Sequence, residues 1–311
     1  MFNFFKSIVS FAFLFIIFYV VLICVWGDYA PLSFKKNLQY KLGSYGHMYS
    51  RMQEIKTVKD IDVLFLGSSH TYRGFDTRIF KNDGFKVFNL GSSAQTPIQT
   101  ELLLKRYLDS LSPKIVVFEV NPFSFSSDGV ESSLDLFAND KNDLYSIINA
   151  VRINHIKTYN VLIYSFYREL FNMNKKFVEQ KVKNEDTYVV NGYVEKKMRY
   201  FVDKPIQKLQ SNISKKQISA FENILTKLKN EGIEYYLVQA PITKSRYLKI
   251  TGTKDFDDLM KDKGTYYNFN YILNLTDSLH FYDSHHLNQE GVKIFNNDLI
   301  QRILKKINYL F

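Results

Sequence analysis

The sequence predicts an α/β fold built on a mostly parallel sheet with helices on both faces. Three observations carry that expectation. From residue 60 onward, short β-branched and aromatic runs alternate with stretches whose apolar residues recur at helical spacing. The first two of those runs stop at glycines, Gly67 and Gly91. The chain is also long and apolar enough to bury a full core. It has 311 residues, 46% of them hydrophobic, without the glycine or proline excess of a fibrous protein.

The first element precedes the sheet. No charged residue falls between Lys6 and Asp28, and Ile8–Trp26 is almost purely apolar. At 1.5 Å per residue, such a helix spans roughly 30 Å, the thickness of a bilayer's hydrocarbon core. The stretch is too long for a signal-peptide core and ends in Cys-Val-Trp-Gly-Asp-Tyr, a poor cleavage site. Residues 1–27 are therefore expected to be an uncleaved membrane anchor. Lys35, Lys36 and Lys41 follow the span against Lys6 before it, a bias too small to fix its orientation. Residues 28–58 are expected to be a linker with one amphipathic turn of helix, Met48 to Ile55.

The remaining elements belong to one domain, 59–311. Strands are expected at Ile61–Leu66, Lys86–Leu90, Lys114–Val120, Ile233–Gln239 and, more weakly, Tyr266–Tyr271. Helices are expected at Gln95–Ser110, Ser214–Glu231 and Gln289–Ile307. Residues 124–213 break the alternation and are expected to form a mainly helical insertion, with a helical pair within Asp143–Val182. In a sheet of this kind, ligands bind beyond the carboxyl ends of the strands.

Two segments carry chemistry. Leu66-Gly67-Ser68-Ser69-His70-Thr71 follows the first strand directly, so glycine permits a sharp turn and Ser69 is presented at the ligand-binding edge. Asp283-Ser284-His285-His286 precedes the last helix, and its Asp-x-x-His spacing can set a carboxylate against one ring nitrogen of His286. The other nitrogen is then free to take a serine proton. Taken locally, Ser69 also suits a helix cap and Asn121 a turn bond at Pro122. Tyr72 and Arg73 lie one turn past Ser69 and are candidate substrate contacts, Arg73 for an anionic group. His47, His155 and His280 are scattered and form no ligand set, and a single cysteine, Cys24, excludes a Cys-based zinc site or a disulfide framework.

On these motifs the chain resembles the SGNH (GDSL-like) hydrolase superfamily, in particular its membrane-anchored bacterial branch related to envelope O-acyltransferases and the D-alanyl-transfer protein. The resemblance covers about 60–125 and 214–307. It implies a three-layer, flavodoxin-like sheet, no cofactor or metal, and a Ser69–His286–Asp283 triad. It also implies an oxyanion hole formed by Ser69, Gly91 (in Asn89-Leu90-Gly91) and Asn121 (in Glu119-Val120-Asn121-Pro122). The sequence departs from the family where Ser68 replaces the aspartate of Gly-Asp-Ser and where the third block lacks its Gly-x-Asn-Asp form. The absence of Gly-x-Ser-x-Gly argues against the α/β-hydrolase fold.

The resemblance implies an esterase or O-acyltransferase acting on an acylated envelope glycan or related polymer, with the domain outside the cytoplasm. A non-catalytic glycan binder, or a scaffold partner of a membrane acyltransferase, is the competing expectation. The net charge of +10 raises nucleic-acid binding, but the lysines are dispersed along helix faces without a basic arm, so no nucleic-acid partner is expected.

Overall fold

A computed structural model describes residues 1–305. The uncharged N-terminal stretch forms one helix, α1 (Phe2–Tyr29), along which only Ile23 and Gly27 are buried. Its most apolar window has a mean hydropathy of 3.1, and the helix is long and apolar enough to cross a bilayer. The segment 28–58 is packed against the domain. In α2 (Met48–Glu54) and just after it, Met48, Met52 and Ile55 join the main core, and Arg51 is fully buried.

The alternating part begins with β1 (Val63–Leu66), α3 (Ser69–Gly74), α4 (Thr77–Asn82), β2 (Val87–Asn89), α5 (Pro97–Leu111) and β3 (Ile115–Glu119). A capping box at Thr96 and Gln99, with Pro97 at the first helical position, starts α5. The insertion brings α6 (Pro122–Ser126), α7 (Val130–Asn139), α8 (Leu144–Ile153) and α9 (Ile156–Leu170). It also contains strands absent from the sequence-based expectation: β4 (Val182–Lys183), β5 (Asp186–Val189), β6 (Tyr193–Lys196) and β7 (Leu209–Gln210). β4, β5 and β6 form a small antiparallel sheet. Asn191 and Gly192, both at positive φ, turn β5 into β6. The tip of that hairpin caps the main sheet, the amide of Asn89 bonding Asn191 O at 2.8 Å.

The alternation resumes with α10 (Lys215–Asn230) and β8 (Glu234–Gln239), then α11 (Lys244–Tyr247), β9 (Ile250–Thr251), α12 (Thr253–Lys263) and β10 (Tyr266–Asn268). Two four-residue helices, α13 (Phe269–Ile272) and α14 (Asp277–His280), lead to α15 (Gln289–Leu299) and a π-helical turn at Ile300–Leu304. The expected end of the last helix, at Ile307, lies outside the described residues.

The main sheet is parallel throughout, in the order β10-β8-β3-β1-β2. Counting only its own strands, this is the flavodoxin-like order 2-1-3-4-5, with the direction of winding reversing between β1 and β3. The period of two along each strand divides the core. Leu64, Leu66, Val116 and Phe118 face α5 and α10, while Val63, Phe65, Ile115 and Val117 face the layer of Phe80 and Phe295. Each fully buried side chain of this size contributes about 1.5–3 kcal/mol.

Candidate active site

The carboxyl ends of β1 and β3 meet at the reversal point, and the candidate residues collect there. Gly67 follows β1 with φ +136, and a Cβ on it would lie 2.4 Å from Thr71 Oγ1 and 2.8 Å from Glu119 O. Only glycine fits that turn. Thr71 Oγ1 donates to Leu66 O (3.1 Å), which folds the start of α3 back onto the strand end. Ser69 is thereby held as the first residue of α3.

The Asp-x-x-His loop comes from the opposite end of the chain. A bridge between Phe281 and Leu287 pinches it, and Thr243 Oγ1 donates to Ser284 O at 2.7 Å. Within the loop the amides of His285 and His286 both donate to Asp283 Oδ1 at 2.8 Å. His286 Nδ1 donates to Asp283 Oδ2 at 2.9 Å, and His286 Nε2 lies 2.9 Å from Ser69 Oγ. The carboxylate fixes the ring proton on Nδ1, leaving Nε2 to accept from the serine hydroxyl. Tyr282 stacks on the imidazole with ring centroids 5.4 Å apart, which restrains its tilt.

The electrostatics follow from this packing. Burial is the largest influence on His286 and lowers its pKa below the ordinary 6.5, while Asp283 acts in the opposite sense. Burial also favours the neutral form of Asp283, but the hydrogen bond from His286 and the neighbouring imidazoles outweigh it and hold the carboxyl well below its usual range. His285, also in the cleft, is pushed down to about 4, chiefly by burial and then by His286.

The structure brings Ser69, His286 and Asp283 together. It places Gly91 and Asn121 at the expected strand ends but turns their donors elsewhere. The Gly91 amide bonds Asn89 Oδ1 at 3.2 Å, and a Cβ on Gly91 would press on Thr71 and Ser68 O. Asn121 Oδ1 caps α6 through the amides of Phe123 and Ser124, and its Nδ2 donates to Ser124 Oγ at 2.9 Å. Neither residue lines the Ser69 cleft, which Ser93 and Ala94 do. Among the described residues, the amides of Ser69, Ser93 and Ala94 have no protein acceptor.

Against Ser68 and Asn121, next to the Ser69 turn, lies a polar group that the motifs did not reveal. Glu119, at the end of β3, is fully buried and accepts from Ser68 Oγ at 3.2 Å and Asn121 Nδ2 at 3.3 Å. Burial pushes its carboxyl up to about 7, against these hydrogen bonds. His70 Nδ1 lies 3.3 Å from Ser68 Oγ and 3.7 Å from Glu119 Oε1, and its ring packs on His286. The signal in sequence was a lone acid closing an otherwise apolar strand.

The cleft has a volume of about 610 Å³. Lys41, Arg73, Lys183, Lys196 and Arg199 line it together with Asp186 and Asp283. Arg73 grips Asp186 through two bonds of 3.0 and 2.9 Å and lies over the rings of Tyr72 and Tyr282. Tyr72 and Arg73 therefore both reach the cleft, with Arg73 already joined to the small sheet. Asp283, His285 and His286 are close enough to hold a metal ion, but both nitrogens of His286 are engaged by Asp283 and Ser69.

Sheet order, serine after the first strand and Asp-x-x-His before the last helix define an α/β domain with a flavodoxin-like parallel sheet and a Ser-His-Asp constellation at its carboxyl edge. Solved structures similar to this chain include a provisionally assigned acylhydrolase from Bacteroides fragilis, 13% identical, with a TM-score of 0.44 over 85% of this chain and 99% of that one. A GDSL-like lipase from Bacteroides thetaiotaomicron is 12% identical, with a TM-score of 0.42 over 84% and 98% of the two chains. An acetyl-xylooligosaccharide esterase variant from Geobacillus is 12% identical, with a TM-score of 0.38 over 79% and 95%. No protein-family model matches the chain, and no curated protein matches it.

Proposed function

We propose that the protein is a serine esterase or O-acyltransferase that works through an acyl-enzyme. The observation that carries this reading is the pair of 2.9 Å contacts running from Asp283 through His286 to Ser69. Ser69 Oγ attacks the acyl carbonyl as His286 Nε2 takes its proton, and Asp283 stabilises the imidazolium. The tetrahedral oxyanion is met by free amides at the cleft, that of Ser69 first and those of Ser93 and Ala94 beside it. Collapse breaks the ester bond, and His286 returns the proton to the leaving alcohol. Water or a sugar hydroxyl then attacks the acyl-serine with His286 as base, giving a carboxylic acid or a new ester.

The substrate we propose is an acylated, anionic envelope glycan or related polymer, handled outside the cytoplasm near the membrane. Three observations support this. Among the charged residues lining the cleft, five are cations and two are carboxylates. A groove of about 1400 Å³ shares Lys41, Ser44, Tyr45 and Ser93 with it and continues to Gly27 and Leu32 at the base of α1. No cysteine follows Cys24, which suits an oxidising compartment. In this reading α1 is a retained anchor that holds the site close to a membrane-bound substrate.

Labelling with a serine-reactive fluorophosphonate tests the chemistry. Wild-type protein is expected to label and Ser69→Ala to remain unlabelled. Equal labelling of the two, or none of the wild type, overturns the proposal.

A further inference from the structure

Beyond the catalytic site, α8 and α9 present an apolar surface that the domain core leaves uncovered. Along α8, Leu144, Ile147, Ile148 and Val151 are all exposed, at spacings of three, four and seven residues. That is one face of a helix; the other face buries Ser146, Asn149 and Ala150. On α9, Ile156, Phe166 and Leu170 are exposed as well.

The position of this surface is set by α1. Tyr19 Oη donates to Asn160 Oδ1 at 2.5 Å, and Asp28 accepts from Tyr164 Oη at 2.8 Å and Tyr167 Oη at 2.7 Å. Helix α9 therefore runs alongside the last third of α1, in the same direction. Gly27 permits the contact, since a Cβ there would lie 2.2 Å from the Tyr164 ring. The uncharged run of α1 ends only at Asp28, while the contact begins at Tyr19, about 13 Å earlier along the axis. The start of α9, and the end of α8 that precedes it, lie further still toward the N-terminus of α1. A membrane that covers the uncharged run of α1 thus reaches the level at which the exposed stripe begins.

We infer that the α8–α9 hairpin dips into the bilayer alongside α1, its apolar stripe facing lipid. The inference rests on α1 being a retained span, as in the proposed function. Lys141, exposed just before α8 at the domain end of the hairpin, suits anionic headgroups. The hairpin and α1 then grip the membrane at two points, which fixes the orientation of the domain and of its groove relative to the surface.

The test uses the full chain carrying Cys24→Ser, reconstituted in nanodiscs of phosphatidylethanolamine and phosphatidylglycerol. Single spin labels are placed at Ile148→Cys and Val151→Cys, with Phe13→Cys as the reference in α1 and Asp255→Cys as the reference in solvent. Collision rates with oxygen and with a water-soluble nickel chelate report depth. The labels at 148 and 151 are expected to favour oxygen, as the label at 13 does, while the label at 255 favours nickel. Nickel access at 148 and 151 equal to that at 255 overturns the inference. If 13 stays lipid-protected in that case, the anchor stands and only the hairpin placement falls; if 13 also meets nickel, the anchor reading falls with it. Shielding of 148 and 151 from both reagents means a protein partner covers the stripe, and that too overturns the inference. Fluorophosphonate labelling of the same variants reports that they are folded.

Discussion

His286 Nε2 and Ser69 Oγ lie 2.9 Å apart although 217 positions separate them in the chain. Two unrelated local structures produce that distance: the glycine turn after β1 and the pinched loop between Phe281 and Leu287. Because the three side chains act as a unit, losses are not additive. Ser69→Ala and His286→Asn are each expected to lower esterase turnover of p-nitrophenyl acetate by about 10⁴-fold or more, and the double variant to be no worse than the single ones. Asp283→Asn is expected to cost about 10⁴-fold, because its amide nitrogen donates to His286 Nδ1 where the carboxylate accepts and so inverts the histidine tautomer. Additive losses in the double variant would contradict a shared mechanism.

The pH profile follows from the buried imidazole. Burial lowers the pKa of His286 below 6.5. The neutral ring is the active base, so activity is lost as pH falls through that depressed value and is fully present at neutral pH. The acid limb of kcat/KM for p-nitrophenyl acetate is therefore expected to have its midpoint below 6.5. A midpoint above 7 would mean that the charged form is favoured and that Asp283 dominates over burial.

Glu119 gives a stability prediction with the opposite sign from a surface ion pair. Its folded pKa, about 7, is raised above the ordinary 4.5. The folded state therefore holds a proton that the unfolded chain releases between those values. Stability is fully present below about 4.5 and declines as pH rises through about 7, by up to about 3 kcal/mol at this shift. Glu119→Gln imitates the protonated acid. Its thermal midpoint relative to wild type is expected to rise between pH 5 and pH 8, and a constant difference would exclude the titration.

Arg73 ties α3 to β5. Its paired contacts to Asp186 need the planar fork of a guanidinium, and both side chains are mostly buried. Arg73→Lys keeps the charge but loses the second bond and the stacking on Tyr72 and Tyr282. It is expected to cost about 1–2 kcal/mol in denaturant unfolding. Arg73→Ala is expected to cost more, because among the described residues Asp186 then keeps the Lys196 ammonium, 3.4 Å away, as its salt-bridge partner. Equal effects of the two substitutions would show that charge alone matters there.

What the sequence revealed, and what it hid, divides along the distance over which each signal acts. Ile61–Leu66 with Gly67, and Asp283 with His286, are local patterns whose geometry follows from a few adjacent residues. The alternation of strands and helices was equally plain, because each element repeats its own period. The Asn191-Gly192 turn was also local, flanked by Val189, Val190, Tyr193 and Val194, yet it was hidden inside a segment otherwise dominated by helices. Four-residue helices such as α11 and α14 are too short to carry a period. Glu119 is different in kind: its contact with Ser68 exists because β1 and β3 are neighbours in the sheet. Gly91 and Asn121 mark the right strand ends, but the aim of their donors depends on Asn89 and Ser124.

The last prediction concerns the charge of the cleft. Lys41 lines both the Ser69 cleft and the groove that runs toward α1, and its ammonium lies 5.6 Å from the Tyr45 ring centre. Its field acts on whatever passes between the two cavities. A neutral small ester such as p-nitrophenyl acetate carries no charge for it to meet, so Lys41→Gln is expected to leave that activity within about twofold of wild type. An anionic ester of the same acyl group approaches through the field, and the loss of one partly exposed charge is expected to lower its kcat/KM by about two- to fivefold, corresponding to about 0.5–1 kcal/mol. Salt separates this effect from a change of shape. At about 0.5 M sodium chloride the Debye length shrinks to a few ångströms, and the difference between wild type and variant should vanish. A loss that persists at high salt, or that affects the neutral ester equally, would mean that Lys41 shapes the cleft and does not steer an anionic substrate.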